Sequence, residues 1–196
     1  MSAKASDIPD TIKRSPRERL LEAANELFYA EGIQSVGIDR VIERAGVAKA
    51  SLYSTFGSKE ELVCAYLGSR HDRTLGRLRA AANEAQDPRE KILAVFDSQA
   101  RWMRRQDFHG CAFNAASAEA PAGGKVEQAA NAFREDLLKL FTELAQGAGA
   151  RDPERLGRQL QLIYDGAAVA ARADHDGSII EPERAAVAAL IDAEVA

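Results

Sequence analysis

The stretch "AGVAKASLYSTFGSKEEL", residues 45–62, has no acidic residue before Glu60, although the whole chain has a net charge of −4. Gly46 is predicted to end a short helix that begins near Ile38, because glycine readily adopts the left-handed conformation of a helix stop. The segment VAKASLYSTF then begins a second short helix almost at once. Two short helices joined by a turn that contains glycine are typical of a helix-turn-helix, whose second helix enters the major groove of DNA.

The side chains of this second helix suit contact with a DNA duplex. Lys49, Ser51 and Ser54 have the donors and acceptors needed for base edges or phosphates. Ala48 and Ala50 are small enough to permit close approach of the helix to the duplex. We therefore expect this helix to be the recognition helix.

Residues around the recognition helix favour contacts with the DNA backbone. Tyr53 and Lys59 suit phosphate contacts, although an aromatic residue at this spacing is also compatible with a core position. Ser58 and Glu61 form a predicted capping box, so the N-terminus of the next helix also points toward a phosphate. Basic residues ahead of the first helix favour an arm along the backbone or into the minor groove. The predicted DNA-binding residues are Lys13, Arg14, Arg44, Ala48, Lys49, Ala50, Ser51, Tyr53, Ser54 and Lys59, with Arg17 and Arg19 as weaker candidates.

Proline and acidic or hydroxyl residues mark the starts of helices along the chain. Ser15, Pro16 and Glu18 match a capping box with proline at the first helical position, and DPRE and DPER repeat that pattern from Asp87 and Asp152. EPER at 181–184 repeats it more weakly. Apolar residues recur every three or four positions, and no segment alternates with period two. The sequence predicts an all-α fold with helices near 16–31, 38–45, 49–55, 59–84, 88–106, 112–119, 124–146, 153–173 and 182–195.

Length and composition bound the possible classes of protein. With 196 residues, 46% of them hydrophobic, the chain is long enough to bury a substantial core. No apolar run reaches the roughly 20 residues that span a bilayer, and the N-terminus lacks the apolar core of a signal peptide, so we expect a cytoplasmic protein. Cys64 and Cys111 match no metal spacing, so reduced thiols and no cofactor are expected.

Short helices before residue 60 and long helices after it predict two domains. The first, at 12–57, is a helix-turn-helix DNA-binding domain. The second, at 58–196, is a larger helical domain, and the helix that begins at Lys59 joins the two without a linker.

Residues 20–67, LLEAANELFYAEGIQSVGIDRVIERAGVAKASLYSTFGSKEELVCAYL, contain the pattern A-G-V-x-K-x-x-L-Y-x-x-F-x-S-K-E-E-L. This segment strongly resembles the DNA-binding domain of the TetR/AcrR family of bacterial regulators, and FHGCAFNAASAEAP at 108–121 is more weakly similar to their ligand-binding domains. The resemblance implies a homodimeric regulator, most simply a repressor, that binds a palindromic operator and is released by a small molecule. Gly37 departs from the pattern, because these proteins usually have Thr or Ser there to cap the helix and touch phosphate.

The resemblance implies an effector site in the larger domain, where aromatic and soft residues cluster. Each of them could belong to the core of a helical bundle, but polar tips among apolar groups are how small-molecule sites are built. We therefore predict a site for an apolar or aromatic effector. Its residues are Phe96, Trp102, Met103, Phe108, His109, Cys111, Phe113, Asn114, Phe133, Phe141 and Tyr164.

The last two helices, at 155–173 and 182–196, have apolar faces suited to association. A two-fold four-helix bundle would bury such faces symmetrically, and the resemblance also implies a homodimer. The predicted interface consists of Leu156, Leu160, Ile163, Ala167, Ala170, Val187, Leu190 and Ile191.

Two other classes of function compete with a regulator. One is a helical adaptor that no longer binds DNA, which Gly37 and the modest basicity favour. The other is an enzyme with Cys111 as nucleophile and His109 or His175 as base, for which no orienting third group stands at a suggestive spacing. Cys111 could also sense electrophiles or oxidants, or be a small buried hydrophobe.

Overall fold

The computed structural model describes residues 14–195, and this part of the chain contains helices and no strand, which confirms the predicted all-α fold. Most helix bounds agree with the predicted ones to within one residue. The helices are α1 (Pro16–Glu31), α2 (Ile38–Ala45), α3 (Lys49–Phe56), α4 (Lys59–Glu84), α5 (Pro88–Met103), α6 (Ala112–Glu119), α7 (Lys125–Gly147), α8 (Pro153–Asp174) and α9 (Ile180–Glu194). None of the helices within this range is both long and apolar enough to cross a membrane.

The predicted caps begin the helices. The Ser15 hydroxyl accepts from the Glu18 N–H, and the Glu18 carboxylate accepts from the Ser15 N–H, which completes the capping box of α1. Asp87 and Asp152 cap α5 and α8 by accepting from backbone N–H groups three residues ahead. The Ser58 hydroxyl accepts from the Glu61 N–H at 3.1 Å and so caps α4.

Two helix ends differ from the predicted ones. Helix α5 ends at Met103 rather than near residue 106, because the chain turns where the Arg105 guanidinium forms two hydrogen bonds to Asp107. Helix α9 begins at Ile180, so Pro182 lies inside its first turn and Glu181 is not the cap. Proline is tolerated there because the first N–H groups of a helix have no intrahelical partner.

The first compact unit ends at Tyr66, inside α4, whereas the sequence placed the domain boundary at 57/58. The first two turns of α4 bury Leu62, Val63 and Tyr66. The Tyr66 ring also lies edge-on to Phe28 of α1, with centroids 5.7 Å apart. The start of α4 therefore belongs to the core of the unit that contains α2 and α3.

The second unit begins at Leu67 and is organised around the packing of α7 on α8. At Gly157 the two helices approach so closely that an added Cβ would lie 2.6 Å from the Thr142 hydroxyl oxygen and 3.0 Å from the Thr142 backbone nitrogen. Phe141, next to Thr142 on α7, and Leu160, three residues after Gly157 on α8, are both fully buried. Glycine at this position is therefore a packing requirement.

Helix α9 packs within its own chain, against α5 and α8. This corrects much of the predicted dimer interface, because Leu156, Leu160, Ala167, Val187 and Ile191 are buried in the core of the chain itself. Ile163, Ala170 and Leu190 are half-buried. On α8 the large apolar side chains that face solvent are instead Leu162, 74% exposed, and Val169, 61% exposed.

We predict that Gly157→Ala destabilises the protein by about 1–3 kcal/mol, the usual cost of overpacking a well-filled contact. The added methyl would meet the backbone of Thr142, which cannot move aside without separating α7 from α8. Urea unfolding at fixed protomer concentration measures the effect.

Gly76→Ala is the matched control, since a Cβ at this mid-helix position of α4 would meet nothing within 4 Å. Removing a helical glycine without a clash should stabilise by about 0.5–1 kcal/mol. Equal stability of the two variants would show that the contact at Gly157 is looser than described.

Candidate DNA-binding and effector sites

Helix α3 presents one buried and one open side. Leu52 is fully buried and fixes the helix on the first unit, whereas Lys49, Ala50 and Ser54 are exposed. Tyr53 is 48% exposed, so it is not a core residue and its phenol is free to approach a phosphate. Ala48 is also exposed and Ser51 is half-buried, so the predicted recognition residues share this open side of α3.

Two glycines set the geometry of the helix pair. Gly46 has φ +63 and ψ 44, the left-handed conformation, and its N–H donates to carbonyls of the last turn of α2. Gly37 occupies the cap position of α2 without any side-chain hydrogen bond. A Cβ at Gly37 would meet nothing within 4 Å, so the missing hydroxyl reflects the residue and not a lack of space.

The cations of this surface are paired with acids from neighbouring helices. The Lys49 ammonium lies 2.9 Å from the Asp39 carboxylate, and the Arg44 guanidinium lies 2.7 Å from Glu26. The hydrogen bond to Asp39 raises the pKa of Lys49. Because all these side chains are exposed, such pairs are worth little and phosphates can replace them. The absence of acids within residues 44–59 therefore does not make the surface free of negative charge.

Lys59 differs from the other cations, since it makes no ion pair within residues 14–195. It is the first residue of α4, beside the N–H groups that the Ser58 cap leaves open. This position combines a side-chain charge with the positive end of a helix, which is the chemistry of a phosphate site.

The arginines of the predicted arm contact other residues of the first unit. The Arg14 guanidinium pairs with Glu22, and Arg17 lies over the half-buried Phe56 ring at 5.7 Å. Arg19 donates to the Gly46 carbonyl at 3.1 Å, so it stabilises the turn between α2 and α3. Lys13 lies outside the described residues.

The predicted effector residues fall into three aromatic groups in the second unit. Phe96, Phe141 and Tyr164 contact one another with centroids 5.5–6.2 Å apart. Phe113 stacks on Phe133 at 3.7 Å. The third group is half-buried: Trp102 contacts Phe108 edge-on at 4.7 Å, and both pack on a core cluster that includes Met103.

The polar members of the predicted site are tied into the fold. Asn114 accepts from Arg134, which also pairs with Asp165 at 2.8 Å. The His109 carbonyl accepts from Arg172. Cys111 precedes α6, and burial raises the pKa of its thiol, while hydrogen bonds to backbone N–H groups act in the opposite direction. Both cysteines of the chain are free thiols.

Several polar residues at this site were missed by the sequence analysis. Arg77 of α4 donates to the Ser98 carbonyl at 2.7 Å and to the Ser98 hydroxyl at 2.8 Å. Gln99 is fully buried, donates to the Tyr164 carbonyl at 2.7 Å, and keeps an Oε1 with no hydrogen-bond partner. The His71 Nε2 lies 3.0 Å from an Asp136 carboxylate oxygen, and the imidazole ring lies edge-on to Phe133. The sequence contained one weak indication that Arg77 is not paired on its own helix, since no acidic residue lies three or four positions away from it.

The fold and these surfaces define a helix-turn-helix DNA-binding protein with a second helical unit. Comparisons with known proteins agree with that class. Residues 20–66 match the model of the family "Bacterial regulatory proteins, tetR family". The chain is 34% identical to SCO4454, a TetR-family transcriptional regulator from Streptomyces coelicolor, over 94% of this chain and 92% of that one, with a TM-score of 0.88.

Two curated relatives match shorter segments. The transcriptional activator FasR of Mycolicibacterium smegmatis is 37% identical over 42% of this chain and 37% of its own length. The transcriptional repressor KstR2 of the same species is 32% identical over 45% of this chain and 44% of its own length. The matched parts thus span less than half of either relative.

The chain belongs to the TetR family of bacterial transcriptional regulators. It is a DNA-binding regulator and not an enzyme, so the cysteine-nucleophile alternative is discarded. Members of this family bind operators and small-molecule effectors and act as dimers.

Lys59→Ala is predicted to weaken binding to every DNA duplex and to lower the slope of log K against log salt by about 0.9, the value for one lost phosphate contact. Lys59 is the cation to test because it has no ion pair within the described residues whose loss would complicate the result. Fluorescence anisotropy between 50 and 200 mM salt, with a duplex selected in vitro by the wild-type protein, measures both quantities.

Lys91→Ala on α5 is the matched control, because it removes the same charge from a half-buried position in the second unit. It should leave affinity and slope unchanged. Lys49→Ala and Ser51→Ala should instead change which sequence is preferred. Unchanged affinity and slope in Lys59→Ala would remove Lys59 from the DNA interface.

Proposed function

We propose that this protein is a ligand-responsive repressor that binds operator DNA as a homodimer and leaves it when a small apolar or aromatic effector binds. The observation behind the proposal is the pairing of an exposed recognition surface on α3 with the capped start of α4, where Lys59 is unpaired among the described residues. KstR2 is named a repressor and FasR an activator, so the relatives include proteins that repress and proteins that activate transcription. Repression by occupying the operator needs no surface beyond those described, and its site of action is the cytoplasm, where bacterial DNA lies.

The DNA contacts are divided between two kinds of residue. Lys49, Ala50 and Ser51 at the start of α3 meet base edges, since the N-terminal residues of a recognition helix read the groove. Tyr53 and Lys59 contact phosphates and set the register of the protein on the duplex. In a dimer the two recognition helices would be about 34–36 Å apart, which matches successive major grooves.

The dimer surface proposed here is the exposed side of α8, next to α7. Leu162, Gly166 and Val169 lie on it at helical spacing, and the two large side chains are exposed in the single chain. The surrounding charges are of both signs, with Arg155 and Arg158 on α8 and Glu135, Lys139 and Glu143 on α7. Such a rim is self-complementary across a two-fold axis, because the basic side of one copy can meet the acidic side of the other.

The alternative of an adaptor that no longer binds DNA is not retained, because the chain belongs to a family of DNA-binding regulators. The uncapped start of α2 at Gly37 and the exposed pair of Lys49 with Asp39 are both compatible with DNA binding, since exposed pairs are weak. In vitro selection of duplexes tests DNA binding directly, because a protein that does not bind DNA would enrich no sequence.

Leu162→Asp is predicted to convert dimers to monomers, with the dimer dissociation constant rising by about a hundredfold or more, because an unpaired charge would have to be buried at the interface. Light scattering coupled to gel filtration at micromolar concentration measures the assembly. Circular dichroism checks that the helices stay folded.

Tyr53→Asp provides the control, since it also places a charge at an exposed large hydrophobic residue, but on α3. It should remain dimeric. Leu160→Asp should unfold the protein instead of dissociating it, because Leu160 is fully buried within the chain. Dimers that persist in Leu162→Asp would move the interface to another surface.

Effector and operator are predicted to weaken each other's binding by the same factor, about 5- to 150-fold for a typical allosteric coupling. Helix α4 is continuous from Lys59 to Glu84, so it contains both the predicted phosphate contact and residues of the second unit. An effector is first found by thermal-shift screening of a metabolite library. It is then titrated by calorimetry with and without the selected duplex.

Two results would contradict this model. Equal effector affinity with and without duplex would remove the ligand switch even if DNA binding is confirmed. Tighter effector binding in the presence of the duplex would indicate a co-repressor or an activator in place of a released repressor.

A further inference from the structure

We propose that the effector is an organic anion, a carboxylate on an apolar or aromatic body, and that Arg77 binds its charge while Trp102 and Phe108 contact its body. This inference rests on the proposed ligand-responsive function and adds to it the chemical class of the ligand. It makes Arg77, which lies in the second unit, the residue that selects anionic ligands over neutral ones.

Arg77 is a cation without an anionic partner. Within residues 14–195 it makes no ion pair, and its Nη1 donates to the Ser98 carbonyl and the Ser98 hydroxyl. A guanidinium has five N–H donors in a planar fork that matches a carboxylate. The two bonds from Nη1 to Ser98 and a hydrogen bond to Tyr164 use three of these five donors, so the group is oriented before a ligand arrives and still has donors for it.

Among the described residues no carboxylate forms an ion pair with Arg77, and the pKa values of Tyr164 and Cys111 are both raised. Burial raises the pKa of Tyr164 well above its usual value, although the charge of Arg77 and a hydrogen bond from it oppose that rise. The pKa of Cys111 is raised by burial too. Asp165 contributes to the field at Tyr164, but its carboxylate is paired with Arg134. An incoming carboxylate would therefore form an ion pair that Arg77 does not make with any described residue.

An aromatic platform lies under the same cation. The Arg77 guanidinium carbon stands 5.9 Å from the centre of the Trp102 ring, within the range of a cation–π contact. Trp102 is only partly buried, and it contacts Phe108 edge-on. A ligand with an anionic end and an apolar body can therefore meet Arg77 and this aromatic pair together, whereas a wholly apolar ligand would leave the cation unpaired.

A purely structural explanation is that Arg77 only connects α4 to α5 through Ser98. That explanation and the proposal differ in ligand preference. If Arg77 only connects the two helices, the protein should bind a carboxylate and the amide of the same shape equally well. A binding site for an anion must instead prefer the carboxylate.

The experiment uses the full chain and two matched pairs of probes, 3-phenylpropanoate with 3-phenylpropanamide and octanoate with octanamide. Trp102 is the single tryptophan of the chain, so its fluorescence reports directly on this site. In the wild-type protein we expect each carboxylate to bind at least tenfold more tightly than its amide, as for a hydrogen bond to a charged group. In Arg77→Gln that preference should vanish, through a tenfold to hundredfold loss of carboxylate affinity.

Arg79→Gln is the matched control, because it removes an exposed arginine from the same helix and should retain the preference. Arg77→Lys should keep part of it, since the charge remains and the fork is lost. Circular dichroism verifies folding, and the comparison of carboxylate with amide in the wild-type protein needs no variant at all.

The outcomes separate this inference from the proposed function. Equal binding of carboxylate and amide, no binding of any probe, or a preference that survives Arg77→Gln would each overturn the anion site. Release of operator DNA by a neutral compound, unaffected by Arg77→Gln, would overturn it as well while leaving the ligand switch intact. A carboxylate preference that depends on Arg77 but has no effect on operator binding would support the site and contradict the switch.

Discussion

The close contact of Gly157 with Thr142 is the constraint on which the second unit depends. Because no Cβ separates the helices there, α7 and α8 approach until their apolar sides interlock. That approach turns Leu156 and Leu160 inward and Leu162 and Val169 outward on the same helix. The core of the unit and its free apolar surface are thus two consequences of one packing geometry.

The charge on the first unit follows a different principle. Asp39 and Glu26 hold Lys49 and Arg44 in exposed pairs, which are individually weak. Such pairs orient long side chains toward the open side of the helix-turn-helix at little energetic cost. They also make the unit less attractive to nonspecific DNA than its count of cations implies, because Lys49 and Arg44 must each leave an acid before they neutralise a phosphate. A net charge of −4 is therefore compatible with DNA binding.

The sequence predicted the helices and the helix-turn-helix well because their signals are local. Ser15, Asp87 and Asp152 cap their helices by contacts within four residues, and Gly46 needs only its own backbone conformation. Much of the predicted dimer interface is buried within the chain itself, because α8 has apolar residues on more than one side. Periodicity identifies such sides but does not tell which one packs against α7 and α5, since that depends on Gly157 and on the docking of α9.

For a related reason, the sequence predicted the aromatic residues of the candidate effector site together with His109, Cys111 and Asn114, but not Arg77. Aromatic residues are expected inside a helical unit, whereas an arginine such as Arg77 is assigned to solvent unless a partner is known, and its partner Ser98 is on another helix.

The buried groups of the second unit also favour noncovalent binding of an effector over covalent modification of Cys111. A thiol reacts as the thiolate, but burial raises the pKa of Cys111, and the nearby cation Arg134 is already paired with Asp165. Arg77 makes no ion pair among the described residues, and it can attract an anion without forming a bond that must later be broken.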